Sequence, residues 1–254
     1  MARTAAAADY CFWNIAMAEF FEFFRTIEWN AIAKIVAIDI MLGVDNAVVI
    51  ALACAGLPMA LRTKAIFLGT AGAVGLRAIL LVFAGLLFGV IAIKAIAGIY
   101  LIYIGIKLLL DNENGAHLTG NPTTIFAAVK TILIADFMMS LDNVLAVVGA
   151  AQSAGAHSTA YAIAGIALSV PVIVFGAQGI MKLMDRFPAI IWAGAGMLGW
   201  VGAEMILSEP LLSSLVHAAE AHGTWVHIGI KAAGFALVLF TVSVIKGIRG
   251  SANN

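Results

Sequence analysis

Charge is what this sequence lacks. Of 254 residues, 14 are Lys or Arg and 14 are Asp or Glu, 11% in all, where a typical soluble domain carries about a quarter. So few charges cannot cover the exterior of a globule this size. The remainder is 63% hydrophobic with a mean hydropathy of +1.05, so lipid must form most of the surroundings and the chain reads as an integral membrane protein. Net charge is zero, and Lys and Arg form no dense run, which excludes the basic patch a nucleic-acid partner needs. Cysteine is nearly absent too. With only Cys11 and Cys54, neither a disulfide framework nor a thiolate metal site is supported.

A helix crossing about 30 Å of hydrocarbon needs about 20 mainly apolar residues. Seven windows qualify: 31–57, 65–89, 91–110, 124–151, 160–181, 188–207 and 225–245. Turn signals separate most of them, among them Gly56-Leu57-Pro58, Asp111 to Gly115, Asp185 to Pro188 and Ser208-Glu209-Pro210, whereas the break near Gly89 is faint. The segment before the first window holds Glu19, Glu22, Arg25 and Glu28 among Phe20, Phe23, Phe24 and Ile27. It lacks the uninterrupted apolar stretch of a signal peptide and has the spacing of an interfacial amphipathic helix over residues 1–30.

The first three windows resemble the next three at an offset of 97: Asp39 matches Asp136, Met41 matches Met138, Asp45-Asn46 matches Asp142-Asn143, Gly105 matches Gly202 and Lys107 matches Glu204. Each copy makes three crossings, an odd number, so the second enters from the opposite side. The expected fold is an all-α polytopic membrane bundle of about seven spans. It comprises a first three-helix repeat over 31–111, a linker over 112–123, an inverted second repeat over 124–208, a loop over 209–224, and an accessory helix with its tail over 225–254. Arg62, Lys64, Lys182, Arg186, Lys246 and Arg249 fall on one side. The positive-inside rule makes that side, with the C-terminus, cytoplasmic and the N-terminus outside, as expected of a bacterial inner-membrane protein.

Asp39, Asp45, Asp136 and Asp142 lie within the spanning windows. A lone aspartate at a helix centre costs about 2.5 to 3.5 kcal/mol on insertion scales, so four left unpaired would cost roughly 10 to 14 kcal/mol. The internal counter-charges are Arg77 and Lys107. With Glu204 there are five acids against two bases. Protonation can remove part of the excess, and a bound cation can remove the rest. Asp39, Asp45, Asn46, Asp136, Asp142 and Asn143 present oxygen ligands, which suit a hard divalent ion such as Mn, Mg or Ca. On one straight helix Asp39 and Asn46 lie about 20° apart but Asp45 about 120° away. Either the helices open near Gly43 and Ser140, or the acids act at different depths. Arg77 is either a counter-charge that holds the empty site and swings aside for metal, or a buried partner of one aspartate. Lys107 and Glu204 read as snorkelling ends or a mutual salt bridge, with gating as the alternative. Glycines 69, 72 and 75, and 194, 196, 199 and 202, read as helix-packing positions. Met41, Met138 and Met139 read as packing residues, and Pro171 as a kink. His157, His217, His222 and His227 are on the outer side without alignment on one face.

Residues 38–52, Ile-Asp-Ile-Met-Leu-Gly-Val-Asp-Asn-Ala-Val-Val-Ile-Ala-Leu, and the run from Ala135, Ala-Asp-Phe-Met-Met-Ser-Leu-Asp-Asn-Val-Leu-Ala-Val, resemble the paired signatures of the TerC family of integral membrane proteins, within it the YjbE-like branch. Lys64 to Phe67, Gly69 to Val74, Lys182 to Met184 and Arg186 to Pro188 share that resemblance, which covers about residues 31–208. It implies a secondary transporter exporting a divalent metal ion, most plausibly manganese, carried as substrate rather than as a resident cofactor. It also implies that the two Asp-Asn motifs meet at the bilayer centre, on Asp45, Asn46, Asp142, Asn143, Asp136 and Asp39. Two other classes compete. An intramembrane aspartyl protease would also place acids on two spans, but the Gly-x-Gly-Asp surround is missing. A membrane scaffold would use the acids in structural ion pairs. The expectation is a non-enzyme whose partners are the bilayer and a divalent ion, with self-association left open.

Overall fold

The computed structural model describes residues 29–83, 92–113, 124–151, 158–212 and 225–252. The N-terminal segment, most of the two long loops and the histidines at 157, 217 and 222 lie outside the described residues. Seven helices form: α1 (Trp29–Ala55), α2 (Met59–Val82), α3 (Ile93–Glu113), α4 (Ile125–Ala151), α5 (Ser158–Arg186), α6 (Ala189–Leu207) and α7 (Trp225–Ala252), with a 3-10 turn at Pro210–Leu212. Among the described residues there is no strand, and six of the helices are long and apolar enough to cross a bilayer.

Helix bounds follow the breaks. Pro58 and Pro188 stand as N-caps of α2 and α6, where the missing N–H of proline loses nothing. Hydropathy alone started the second span at 65 because Arg62, Thr63 and Lys64 lower the window. Helix α2 starts at Met59, right after the proline. Arg62 then serves that turn. Its Nε donates to Leu57 O at 2.9 Å and its Nη2 to Ala55 O at 2.8 Å, covering carbonyls left open at the end of α1, while Nη1 meets both Asp185 oxygens at 2.8 Å at the end of α5. Lys246 lies over the Trp192 ring. The basic ends of α2, α5 and α7 thus share one end of the bundle, as the charge pattern required.

Packing follows the repeat. Helix α1 packs on α5 as α2 packs on α4, and α1 meets α4, α2 meets α5 and α3 meets α6. Those are the contacts produced by exchanging the two three-helix copies about a two-fold axis. The α3/α6 crossing carries the same signature at atomic level. A Cβ on Gly98 would sit 2.3 Å from Gly202 O, and one on Gly105 would sit 2.9 Å from Ala195 O. Adding 97 to 98 and 105 gives 195 and 202, so the second approach is the first one seen from the other copy. Helix α7 has no counterpart and packs on α6 and α3, with Gly234 against the Gly199 carbonyl. Not every small residue read as a packing position is one: a side chain at Gly75 would meet nothing within 4 Å, so that glycine faces open space.

Glu209 departs from its expected place among loop charges. It is buried, and its carboxylate accepts from the backbone N–H groups of Ala92, Lys94 and Ala95 at 3.1 to 3.3 Å. These are orphan donors at the positive end of α3, and Ala92 itself sits at φ 66°. A residue trailing α6 in the second copy therefore caps a helix of the first. Glu209→Ala is expected to lower stability by about 2 kcal/mol, since hydrogen bonds to a charged group contribute roughly 1.5 to 3. Hydrogen exchange should accelerate at Ala92, Lys94 and Ala95 and not along α1.

Candidate functional site

Helices α1 and α4 are the matched first helices of the two copies. Their acids Asp39 and Asp136 stand eleventh and twelfth of 27 residues, near mid-depth. Asp39 is 0% exposed and Asp136 8%. Arg77 of α2, 3% exposed, reaches between them. Its Nη1 donates to Asp39 Oδ1 at 2.6 Å and its Nη2 to Asp136 Oδ1 at 2.7 Å. The planar guanidinium can serve two carboxylates at once because its donors lie in a fixed fork. Its third nitrogen, Nε, donates to Ser140 Oγ at 3.2 Å, and Ser140 in turn donates to Asp136 Oδ2 at 3.2 Å. Ser169 of α5 lies against Asp39 Oδ2 and against the carbonyl of Ile166. Two acids and one base leave this buried group one negative charge in excess.

The second element is Asn46, about two turns beyond Asp39 along α1. It is 4% exposed, and both polar atoms of its amide lack a hydrogen-bond partner. Burying an unpaired amide is unfavourable by roughly 1 to 3 kcal/mol on protein mutational scales. The amide borders a void of about 10 Å³ lined by Asn46, Val49 and Ile50 of α1 and Ile132, Asp136 and Met139 of α4, room for about one water-sized body. One edge of the void is therefore a carboxylate of the triad.

Helices α1 and α4 run unbroken through Gly43 and Ser140, so the first of the two geometric solutions is not the one adopted. The backbone does not open, because the Ser140 side chain already serves the triad and Gly43 lies against the Ile173 side chain. The acids of α1 instead stand at different depths, Asp45 about 9 Å beyond Asp39 at 1.5 Å per residue. Asp45 is half-buried, and its Oδ1 accepts the Asn46 N–H at 3.1 Å. Asn143 is buried; the side chain of Asp142 lies outside the described residues. Of the two structural readings of Lys107 and Glu204, snorkelling ends or a mutual salt bridge, the mutual bridge is not the one adopted. Glu204 meets Lys231 Nζ of α7 at 2.5 Å, and Lys107 is exposed. Of the methionines, Met139 lines the void and Met41 faces outward. Among the described residues no group of three or more His, Cys, Asp or Glu side chains is gathered for a metal. The gathered donors are two carboxylates, two hydroxyls and an amide, all presenting oxygen, and that set fits a hard cation.

Ser169 had no signal in the sequence beyond being a hydroxyl in an apolar run. The offset of 97 explains why the repeat did not reveal it. Ser140, Ser169 and Arg77 correspond to Gly43, Gly72 and Val174, so the acids are duplicated while their partners are not.

With this geometry in hand, likeness to known proteins is informative. The family model described as "Integral membrane protein TerC family" matches residues 24–249. The chain belongs to the TerC family. The match extends beyond the doubled motif through α7, which the motif resemblance did not reach. The "Uncharacterized membrane protein YjbE" of Bacillus subtilis (strain 168) is 40% identical over 190 residues, covering 75% of this chain and 84% of that relative. YkoY of the same organism, also named an uncharacterized membrane protein, is 28% identical over 75% of this chain, which spans 64% of it. The "UPF0053 inner membrane protein YgdQ" of Escherichia coli (strain K12) is 27% identical, covering 71% of this chain and 81% of the relative. No solved structure matches the chain. As a TerC-family protein with long apolar helices, it is an integral membrane protein.

Proposed function

We propose that this TerC-family protein is a secondary transporter that exports a divalent metal ion, Mn²⁺ first among the candidates, and that it is not an enzyme. The observation that carries this reading is the unpartnered Asn46 amide, which shares a void with Asp136 beside a triad one negative charge in excess. A dication at that edge would satisfy the amide oxygen and more than offset the excess negative charge. The two-fold relation of the copies supplies the mechanical part: a site between matched helices α1 and α4 is exposed to one side or the other as the copies rock. Asp39, Asp136 and Asn46 form the central ligand set in this reading. Asp45, next to Asn46 and about 9 Å from Asp39 along α1, lines the approach to that set with Asn143, Asp142 is assigned the same role as the repeat partner of Asp45, and Glu204 with Lys231 holds α7 against the transporting core.

One observation favours the scaffold reading: Arg77 bridges Asp39 and Asp136 as a structural ion pair would. A protease dyad has no such support, since each of these carboxylates meets a guanidinium nitrogen rather than the other carboxyl. Metal titration of the purified protein in detergent separates transport from scaffold. Wild type is expected to bind Mn²⁺, and Asp39→Asn/Asp136→Asn to bind it at least tenfold more weakly. Inside-out vesicles bearing wild type should accumulate Mn²⁺, and those bearing the double variant should not. Absence of binding by wild type would establish the scaffold instead.

A further inference from the structure

We propose that the Arg77 guanidinium is a built-in stand-in for the transported dication, occupying the two-carboxylate cradle when substrate is absent and yielding it when substrate arrives. This rests on the export reading above and adds to it how the empty carrier returns.

The geometry is that of a cation in a cradle. Two carboxylates from different copies converge on one cationic group, at 2.6 and 2.7 Å, and their second oxygens are held by Ser140 and Ser169. Remove the guanidinium and what remains is an oxygen-rich site of the sort that hard dications occupy. Asn46, with both amide atoms unsatisfied and 4% exposed, stands at the void beside Asp136, which is an independent sign that the site is incomplete as it stands.

Charge decides the order of events. Asp39 and Asp136 with Arg77 sum to −1, with a dication in place of the guanidinium to 0, and with both to +1. Two bare carboxylates sum to −2. Exchange of guanidinium for dication moves the buried site from −1 to neutrality, whereas adding the dication on top overshoots. An empty carrier without Arg77 would have to carry two unpaired buried carboxylates through its conformational change, and a charge buried without a partner is strongly unfavourable. The arginine lets the unloaded protein reorient. Only one copy supplies it, since the position matching Arg77 in the second copy is Val174; a single bridging cation is what one dication site between two copies calls for.

The test titrates the full-length chain in detergent with MnCl₂. Arg77→Gln, which deletes the competing cation, is expected to bind Mn²⁺ at least tenfold more tightly than wild type. Arg77→Lys keeps the charge but loses the fork, and should fall between them. Guanidinium chloride at millimolar concentration should displace Mn²⁺ from the glutamine variant, and adding Asp136→Asn to it should abolish the tight binding, which separates the cradle from adventitious acidic sites. In proteoliposomes Arg77→Gln should retain Mn²⁺/Mn²⁺ exchange while net efflux falls at least tenfold. Wild type that binds Mn²⁺ with neither variant binding more tightly would overturn the inference and leave the export reading standing. Wild type and both variants that fail to bind would overturn the export reading, and this inference with it.

Discussion

Arg77→Met alone is expected to destabilise the protein by about 3 to 5 kcal/mol, the range for removing one partner of a buried ion pair. The triple replacement Asp39→Leu/Arg77→Met/Asp136→Leu should recover most of that loss. The asymmetry comes from desolvation. All three residues are at most 8% exposed, so deleting the cation strands two carboxylates in a medium that cannot solvate them, whereas deleting all three leaves apolar groups of similar volume among apolar neighbours. Ser140 and Ser169 lose their acidic partners in the triple variant, but Ser169 already lies 2.7 Å from the Ile166 carbonyl, and a serine within a helix can bond the carbonyl one turn back. Reversible unfolding in mixed micelles would give the ordering wild type, triple variant, single variant. Mn²⁺ should raise the midpoint of the single variant and not that of the triple variant, because a ligand that binds only the folded state stabilises it by about 2.7 kcal/mol at a concentration 100 times its Kd. A triple variant as unstable as the single one would mean that the triad contributes more to the fold than its charge balance accounts for.

Much of this was legible in the sequence because membrane helices advertise themselves. Apolar runs and their breaks located all seven helices, and the offset of 97 alone put Asp39 and Asp136 in equivalent places. What hydropathy cannot convey is which helices of opposite copies touch. That Arg77 would bridge both acids depends on α2 packing against α4 while α1 packs against α5, a matter of tertiary pairing. Glu209 looked like a loop charge because its role is to cap α3, more than 110 residues earlier in the chain. Glu204 found Lys231 rather than Lys107 because α7, the helix outside the repeat, is invisible to an argument from repeats. Glycine-rich stripes gave the type of interface without telling contact from exposure: Gly75 faces nothing, while Gly98, which was not singled out, makes the tightest approach between α3 and α6.

That approach carries the second large effect. Gly98→Ala is expected to cost about 2 to 3 kcal/mol, near the upper end for forcing extra volume into a packed site. A Cβ there would lie 2.3 Å from the Gly202 carbonyl oxygen and 3.2 Å from the Ile206 amide nitrogen. Both are backbone atoms that cannot swing away, so the helices must separate. In a bilayer, separation is not opposed by any hydrophobic gain, because lipid tails are as apolar as the side chains, and association rests on close packing. Gly202→Ala should cost a comparable amount, with its Cβ 2.5 Å from the Gly98 oxygen. The double variant should cost clearly less than the sum, since one displacement of α3 from α6 relieves both clashes. Gly75→Ala is the control with the opposite sign: nothing lies within 4 Å, and alanine is favoured over glycine inside a helix by roughly 0.5 to 1 kcal/mol, so this variant should be slightly more stable than wild type. Equal costs at Gly75 and Gly98 would show that helix propensity rather than the α3/α6 contact governs these positions, and the two-fold packing of the third helices would lose its main support.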